Sequence, residues 1–384
     1  MKFLLLTLFF ISFTQANDLK IYILNIGQAD SQLIVFPSGY SILIDVGERG
    51  LGPTVAGNNG ANISIRLEQI LGKKHIDVFV LTHLHPDHAG NYANGGIWYL
   101  LEVAGFTFGK FLKRNVGTFT GSDPGTCTKK TGMKWKYAGE MNDNMAKMAC
   151  YMTATTVPTK LSSIAENAKR CNNDQIRPPD AGASVTVIIR DGLGIKTSSG
   201  SKIYKNSVSK KPTVSENDFS ICMRIQFGDF VYATCGDLSG YQVTSKDGKI
   251  RYHDVESKIA PMIGSVDAMK VNHHGAKTST NSKWLKNLKP TVSVISCVGG
   301  QLPNEPPLKR LKNIKSKVFT TGNNCNQKTV SKYKNIVQMG SDVIISYTYG
   351  AKTFTVSNAD GSYSTSFNVK LGKKAPSKCK LLEK

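Results

Sequence analysis

Residues 76–91, IDVFVLTHLHPDHAGN, join an apolar run to three histidines and an aspartate that lie within six positions. The apolar run predicts a strand buried on both faces, because it is almost continuous and rich in branched residues. Residues two apart in a strand share a face, so His83 and His85 point to the same side. Asp87 and His88 follow around the next turn. Imidazole nitrogens with a carboxylate suit zinc or a neighbouring transition metal, and four such residues offer enough donors for two ions.

Other predicted strands also end in residues that can bind metal. Asp45 closes YSILID, Asp237 closes VYATCGD, and His273 and His274 follow VDAMKV. Open α/β sheets place their sites outside the carboxyl ends of the strands, so we expect these residues to meet the first cluster there. Helix-capping acids and hydrogen-bonded core histidines explain any one of them alone, but not the whole set. The histidines outside both clusters are interpreted as structural: His75 and His253.

Alternating strand and helix patterns indicate one enlarged α/β domain. The predicted strands are 19–26, 32–36, 40–47, 76–83, 183–190, the hairpin 220–237, 266–271 and 291–297. The predicted helices are 63–72, 141–152 and 281–288. The expected divisions are a signal peptide over 1–16, a main domain over 17–350 with a weakly periodic insertion at about 105–182, and a C-terminal β extension of the same domain over 351–384.

The N-terminal segment has the features of a secretory signal. Lys2 precedes the apolar run FLLLTLFFISF, which stops at the small and polar TQAN. A bilayer crossing needs about 20 residues, so the run is too short to span one. We expect cleavage after Ala16 and a secreted protein. No later run is long enough for a membrane helix, so no membrane span is expected.

The charge of the chain points to a polyanionic partner. Lysine and arginine total 49 against 27 aspartates and glutamates, a formal net charge of +22. Basic proteins bind nucleic acid by neutralising phosphates and releasing counterions. A solubility device is the alternative. Within the insertion, basic residues alternate with aromatic ones and could line a groove for single strands: Lys110, Phe111, Lys113, Arg114, Phe119, Lys129, Lys130, Lys134, Trp135, Lys136 and Tyr137.

Eight cysteines in an exported chain predict disulfides, and one pair follows from strand register. Gly228 and Asp229 form a two-residue hairpin turn in SICMRIQFGDFVYATCGD, which places Cys222 opposite Cys235. A non-hydrogen-bonded pair there has Cα atoms about 4.5 Å apart, within the range that a disulfide bridges. Two buried free thiols are the alternative.

These motifs resemble those of the metallo-β-lactamase superfamily. The HxHxDH pattern is similar to its metal motif, and LNIGQADSQLIV, YSILIDVG, TCGDLSG and MKVNHHGAKTSTN resemble the exported hydrolase domain of bacterial competence (DNA-uptake, ComEC-like) proteins. The likeness covers about 20–100 and 215–300, roughly half of the chain. It implies a four-layered αββα sandwich with a dinuclear site between the two sheets.

The resemblance also implies a role for each residue. His83 and His85 would bind the first ion, Asp87 and His88 the second, and Asp237 would bridge both. His274, with His273 as the alternative, would complete the second ion, and Asp45 would hold the first motif in place. Many members have another histidine ligand before the bridging aspartate; here Asn217 or Asp218, in ENDFS, would have to serve. The competence branch also tends to have a histidine in a later loop, where this chain reads CVGGQLPNEPP.

The expected function is hydrolysis with a metal-activated water. Asp87 and Asp237 are the expected catalytic carboxylates, and two divalent ions are expected, Zn²⁺ with Mn²⁺ as the alternative. The basic charge favours a phosphodiesterase or nuclease acting on nucleic acid, with Lys277 meeting a phosphate. One alternative is a hydrolase of lactams, lactones or esters. Another is a non-catalytic nucleic-acid-binding protein. A monomer is expected.

Overall fold

The computed structural model describes residues 17–48, 59–137, 139–192, 214–246, 248, 250–374 and 376–377. The predicted signal peptide over 1–16 and the whole Ser/Lys-rich segment 197–213 lie outside these residues. Among the described residues, none of the helices combines the length and the apolar character that a membrane crossing requires.

Strands and helices of the described residues follow in chain order. The strands are β1 (Asp18–Ile23), β2 (Gln32–Val35), β3 (Ser41–Ile44), β4 (His75–Val80), β5 (Thr107–Lys113), β6 (Gly117–Phe119), β7 (Met133–Trp135), β8 (Ala165–Asn167), β9 (Ala183–Ile189), β10 (Cys222–Phe227), β11 (Phe230–Thr234), β12 (Val243–Thr244), β13 (Ile250–Tyr252), β14 (Ala268–Lys270), β15 (Val292–Ile295), β16 (Lys317–Thr320), β17 (Ile336–Gln338), β18 (Val343–Thr348), β19 (Thr353–Asn358) and β20 (Ser364–Asn368). The helices are α1 (Asn59–Leu71), α2 (Pro86–Ala89), α3 (Gly96–Glu102), α4 (Asp143–Tyr151), α5 (Glu256–Ile263), α6 (Ser282–Leu288), α7 (Glu305–Asn313) and α8 (Gln327–Val330).

Two large sheets form the centre of the fold. In the described chain the first has nine strands in the order β20-β19-β18-β1-β2-β3-β4-β5-β8, and the second has seven in the order β17-β16-β15-β14-β11-β10-β9. Strand β4 pairs in parallel with β3 and β5, and β11 pairs in parallel with β14, which continues in parallel to β17. Parallel strands need cover on both faces, which explains the continuous apolar run of β4.

Three apolar cores lie between the layers of the fold: one between the two sheets and one on the outer face of each sheet. Ile44 and Tyr232 lie in the core between the sheets. Leu43 points the opposite way and packs with Leu67 of α1 on the outer face of the first sheet. Trp284 of α6 covers the outer face of the second sheet in a further cluster. Alternate residues of a strand face opposite sides, so each sheet contributes to two cores. The described chain is therefore the four-layered αββα sandwich that the resemblance implied.

The two sheets approach each other closely where β4 and β11 end. Ile221 N donates to Thr82 O across this junction at 3.0 Å, and Gly236 adopts φ +52. A Cβ at Gly236 would lie 2.7 Å from Thr82 Oγ1, a separation that real Cβ atoms do not reach. Glycine is required here both for the backbone angle and for the contact. The junction brings the residues after β4 beside those after β11.

The insertion contains more regular structure than its sequence indicated. Residues Thr107–Lys113 form the full strand β5 in the first sheet, although the prediction left them irregular. The predicted helix over 141–152 is α4, and a disulfide joins Cys127 to Cys150 within the insertion. At the C-terminal end, β19 and β20 extend the first sheet.

The structure confirms the predicted Cys222–Cys235 disulfide. Phe227 pairs with Phe230 across the turn, and the Cα atoms of the two cysteines are 3.8 Å apart. A further disulfide joins Cys297 to Cys325, a pairing that the sequence did not indicate.

The structure corrects part of the predicted basic and aromatic groove. Phe111, Phe119 and Tyr137 are buried because they pack in apolar clusters. Lys113 and Arg114 are buried beside Asn167 and Glu216. These five residues therefore cannot meet a nucleic acid. The exposed basic residues of the predicted set are Lys129, Lys130, Lys134 and Lys136.

Candidate metal centre

A first group of metal-binding side chains forms where β4 and β11 end. His83, His85 and Asp237 each offer one ligand atom within 4.8 Å of the others. His83 Nε2 lies 3.0 Å from His85 Nδ1. His83 is fully buried and His85 is half-buried, so the group is reached from the side of His85. Two imidazoles and a carboxylate are the donors that transition metals of the zinc type prefer.

A second group shares Asp237 with the first. It consists of Asp30, His88, Asp237 and His274, all buried, with ligand atoms again within 4.8 Å of one another. His88 Nε2 lies 3.1 Å from Asp237 Oδ1, and His274 Nε2 lies 3.8 Å from the same oxygen. The carboxylate of Asp237 therefore lies between two sets of imidazoles, as a bridging ligand must.

Buried atoms without hydrogen-bond partners show that these residues fit a metal. Asp30 Oδ1, His88 Nε2, Asp237 Oδ1 and His274 Nε2, one atom from each residue of the second group, make no hydrogen bond of good geometry, although His88 Nε2 and Asp237 Oδ1 face each other at 3.1 Å. Buried polar atoms are rarely unpaired in native proteins, and each exception requires an explanation. A cation coordinated by these atoms supplies one for all four at once.

Neighbouring groups orient the imidazoles of His88 and His274. His88 Nδ1 donates to Asp45 Oδ2 at 2.7 Å, and Asp45 also accepts from Thr82 N and Thr82 Oγ1, each at 2.7 Å. His274 Nδ1 donates to Ser296 O at 3.0 Å. These bonds place the Nδ1 proton on the outer side of both rings, so the Nε2 lone pairs face the group, as in metal sites with oriented histidines.

Two predicted ligands lie beside the groups without belonging to either. Asp87 Oδ2 is 3.7 Å from His274 Nε2, which places its carboxylate at the margin of the second group. His273 Nε2 is 3.8 Å from Asp237 Oδ2, and its side chain is 20% exposed, so it borders the accessible side of the centre. Both backbone angles of the histidine pair are left-handed, with φ near +50, which turns the two rings apart.

Asn217 and Asp218 occupy different surroundings. Asn217 Nδ2 lies 3.3 Å from His273 Nε2. Its amide therefore contacts the ring that lies beside Asp237, not Asp237 itself. Asp218 Oδ2 accepts from His253 N and contacts His253 Nδ1, both at 2.8 Å. His253 is thus a buried partner of an acid, in agreement with its interpretation as structural.

Lys277 is exposed, and its backbone nitrogen donates to Asn304 Oδ1 at 2.8 Å. Lys277 lies in the loop after His274, and it belongs to neither metal-binding group.

The imidazoles of the centre differ in pKa. Burial alone would lower the pKa of His88, but the carboxylates of Asp237 and Asp45 outweigh it and raise that pKa well above its usual value. Burial lowers the pKa of His83 well below its usual value, assisted by the neighbouring His88 and His85. Burial alone would raise the pKa of Asp237, but His88, His273 and His274 outweigh it and hold that pKa well below its usual range. Burial likewise opposes ionisation of Asp30, and the Lys270 ammonium lowers its pKa.

Sequence reasoning missed Asp30 and Glu216 as residues of this centre. Asp30 follows an antiparallel strand, where no site was expected, although it lies within LNIGQADSQLIV. Glu216 Oε1 accepts from Leu84 N, between His83 and His85, at 3.2 Å. Lys270 carried a usable signal: it is the one basic residue in the strand segment VDAMKV, and a buried lysine requires an acidic partner.

Neither a protein-family model nor a curated protein sequence matches this chain. Among solved structures, the chain is similar to a metal-dependent hydrolase of the β-lactamase superfamily, with 13% identity over 79% of this chain and 95% of that chain and a TM-score of 0.41. It is also similar to a metallo-β-lactamase motif mutant from Cronobacter sakazakii, with 14% identity, coverage of 63% and 70%, and a TM-score of 0.33. A protein of unknown function from Enterococcus faecalis aligns at 8% identity over 84% of this chain and 73% of that chain, with a TM-score of 0.33. At these identities the likeness concerns the fold alone, and the resemblance to the competence branch stays a prediction.

Proposed function

We propose that this chain is a secreted metal-dependent hydrolase that cleaves phosphodiester bonds in nucleic acid. The observation that carries the proposal is the pair of donor groups that share Asp237. One of these groups contains four buried atoms that make no hydrogen bond of good geometry. A structural role alone does not require buried, unpaired imidazole nitrogens and carboxylate oxygens in one place.

The protein residues would hold two divalent ions, for which we propose Zn²⁺, with Mn²⁺ as the alternative. When bound, such a pair of ions activates a water near neutral pH, orients the substrate and stabilises negative charge on oxygen. His83 and His85 would hold one ion, His88 and His274 the other, and Asp237 both. Asp45 keeps the Nδ1 proton of His88 on the outer side.

Asp87 is the proposed group for orienting the attacking water. Its carboxylate lies at the margin of the second group, 3.7 Å from His274 Nε2, and its side chain is largely buried. A carboxylate in this position can accept a hydrogen bond from water while it also serves as a ligand. His273 and Asn217, on the accessible side, border the space where a scissile group would enter.

Charge supports a phosphodiester substrate over a neutral one. The chain carries a formal net charge of +22, and Lys129, Lys130, Lys134 and Lys136 of the insertion are exposed. Cationic proteins gain affinity for nucleic acid from counterion release. Lys277 is proposed to meet a phosphate, because it is exposed and follows His274 by three positions.

Secretion is proposed from the disulfides. Three disulfides join described residues, and such bonds form and persist in oxidising compartments.

The test measures hydrolysis of DNA, RNA, a bis-aryl phosphate and a lactam by the purified chain, with chelator and after return of Zn²⁺ or Mn²⁺. We expect chelator-sensitive phosphodiester cleavage that the metal restores and that His83→Ala abolishes. His75→Ala is the matched control, because His75 is a half-exposed histidine outside both groups. Cleavage of the lactam alone would instead identify a small-molecule hydrolase, and salt-sensitive nucleic-acid binding without turnover would identify a binding protein.

A further inference from the structure

A buried ion pair joins the two sheets directly beside the candidate metal centre. Lys270 Nζ donates to Asp30 Oδ2 at 2.9 Å and to Val271 O at 3.1 Å. Neither charged side chain has any exposed surface. Lys270 ends β14 of the second sheet, whereas Asp30 lies between β1 and β2 of the first sheet. An isolated charge at this depth would be strongly unfavourable, so each side chain depends on the other.

The two carboxylate oxygens of Asp30 have different surroundings. Oδ2 accepts from Lys270, whereas Oδ1 has no hydrogen-bond partner. Asp30 belongs to the group that contains His88, Asp237 and His274, and one ligand atom from each of these residues lies within 4.8 Å of the others. A salt bridge that only joined the sheets would leave no reason for the second oxygen to remain unpaired among these donors.

The backbone of Asp30 is fixed to the same loops that carry other residues of the centre. Asp30 N donates to Asp87 O at 2.9 Å, and Gly47 N donates to Asp30 O at 3.0 Å. A Cβ at Gly47 would lie 2.0 Å from Asp87 O, so glycine permits this close approach. With the backbone and Oδ2 both held, Oδ1 has a defined position.

We infer that Asp30 is a metal ligand of the second group and that Lys270 is the positioning residue that directs Asp30 Oδ1 toward the ion. This inference rests on the proposed metal function. The second ion would then have imidazole nitrogens from His88 and His274 and carboxylate oxygens from Asp30 and Asp237, with the carboxylate of Asp87 at its margin. One ligand of the centre would thus come from the N-terminal strands, about 240 residues from Lys270 along the chain.

The experiment compares the full-length wild type with Lys270→Met, Asp30→Asn and the double variant Asp30→Asn/Lys270→Met. The double variant removes both charges, so that no unpaired buried lysine confuses a loss of metal with a loss of fold. Asp267→Asn/Lys373→Met is the matched control. It removes a similar pair, with Lys373 Nζ 3.0 Å from Asp267 Oδ2, next to the opposite end of β14.

The measurements are ions bound per chain after dialysis against Zn²⁺, the dissociation constant of each ion from competition with a chromogenic chelator, and folding from circular dichroism. We expect two ions with similar affinity in the wild type and in the control. Lys270→Met should bind the second ion about 10- to 100-fold more weakly, because the residue that directs Asp30 Oδ1 is gone. Unchanged affinity in folded Lys270→Met would show that Lys270 does not position Asp30. In the double variant the second ion should bind at least about 100-fold more weakly, since even the loss of a group that only orients a ligand costs 10- to 100-fold. Should the double variant fail to fold, Asp30→Asn must show the same weakening.

Tight binding of two ions by the folded double variant would overturn the inference and leave the proposed function intact. A wild type that binds no ion would overturn both. Weaker binding of the second ion by the control variant would also overturn the inference. The loss of affinity would then follow from removing any buried ion pair next to β14.

Discussion

His88 and Asp45 form a hydrogen bond that is completely buried, with His88 Nδ1 2.7 Å from Asp45 Oδ2 and no exposed surface on either side chain. The bond joins the loop after β4 to the residue that follows β3, and these strands are parallel neighbours. It fixes the orientation of one imidazole while leaving Nε2 3.1 Å from Asp237 Oδ1. The centre thus depends on residues that need not touch an ion.

Asp45→Asn is expected to weaken metal binding by about 10- to 100-fold, because the negative charge that orients His88 is lost. Asn tolerates the left-handed backbone of this position, where φ is +60, so the loop should keep its conformation. Competition with a chromogenic chelator measures the effect. Unchanged affinity in a folded variant would show that Asp45 does not orient a ligand.

Arg114→Met should destabilise the fold by about 3–5 kcal/mol, because it leaves the buried carboxylate of Glu216 without its cationic partner. Asp191 also loses Arg114 but keeps Arg190 at 2.6 Å. Arg114 Nε lies 2.5 Å from Glu216 Oε1, and both side chains are almost completely buried. Urea denaturation measures the free energy of unfolding. The double variant Arg114→Met/Glu216→Gln should regain part of the loss, and a double variant less stable than Arg114→Met alone would contradict this account.

The stability of the wild type should rise with pH above about 8 relative to Lys113→Met. Burial lowers the pKa of Lys113 from 10.5 to about 8. Between these values the unfolded chain binds the proton and the folded chain releases it, so stability increases with pH across this window, by at most about 3 kcal/mol. Below pH 8 both states are protonated and the cost of burying the charge is fully present.

Chemical denaturation of both proteins at several pH values between 7 and 10.5 tests this pH dependence. Lys129→Met, at an exposed lysine of the same insertion, is the matched control and should follow the wild type. Parallel curves for wild type and Lys113→Met would rule out a depressed pKa at Lys113.

Replacing Cys127 and Cys150 with serine should cost about 3 kcal/mol, because the bond closes a loop with a sequence separation of 23. Thermal unfolding of the oxidised wild type and the double variant measures the difference. Equal unfolding temperatures would indicate that the hydrophobic contacts of the insertion suffice without the bond.

The four-layered fold and most of the centre were predictable from local patterns. A buried strand has a recognisable apolar run, and the strand ends where polar residues begin. The ends of such runs identified Asp45, His83, Asp237 and His274 as candidate site residues. The Cys222–Cys235 pair followed from a hairpin whose register is local. These inferences required only residues close together in the chain.

Features that depend on distant partners were not predictable in the same way. Asp30 follows an antiparallel strand, and its role becomes visible only with Lys270 beside it. Strand β5 was missed because TFGKFLK contains two lysines, and the burial of Lys113 depends on elements far along the chain. The Cys297–Cys325 pair connects the loops after β15 and β16, and these strands become neighbours only in the folded sheet. Periodicity reports which face of an element is apolar, but not which element will cover it.

The number of divalent ions bound to each chain tests the central claim most directly, measured by elemental analysis of the wild type and of Asp237→Ala after equilibration with Zn²⁺. The shared carboxylate predicts two ions for the wild type and weakened binding of both in the variant. A wild type without bound ions, or a folded variant that keeps two with unchanged affinity, would contradict a dinuclear centre built around Asp237.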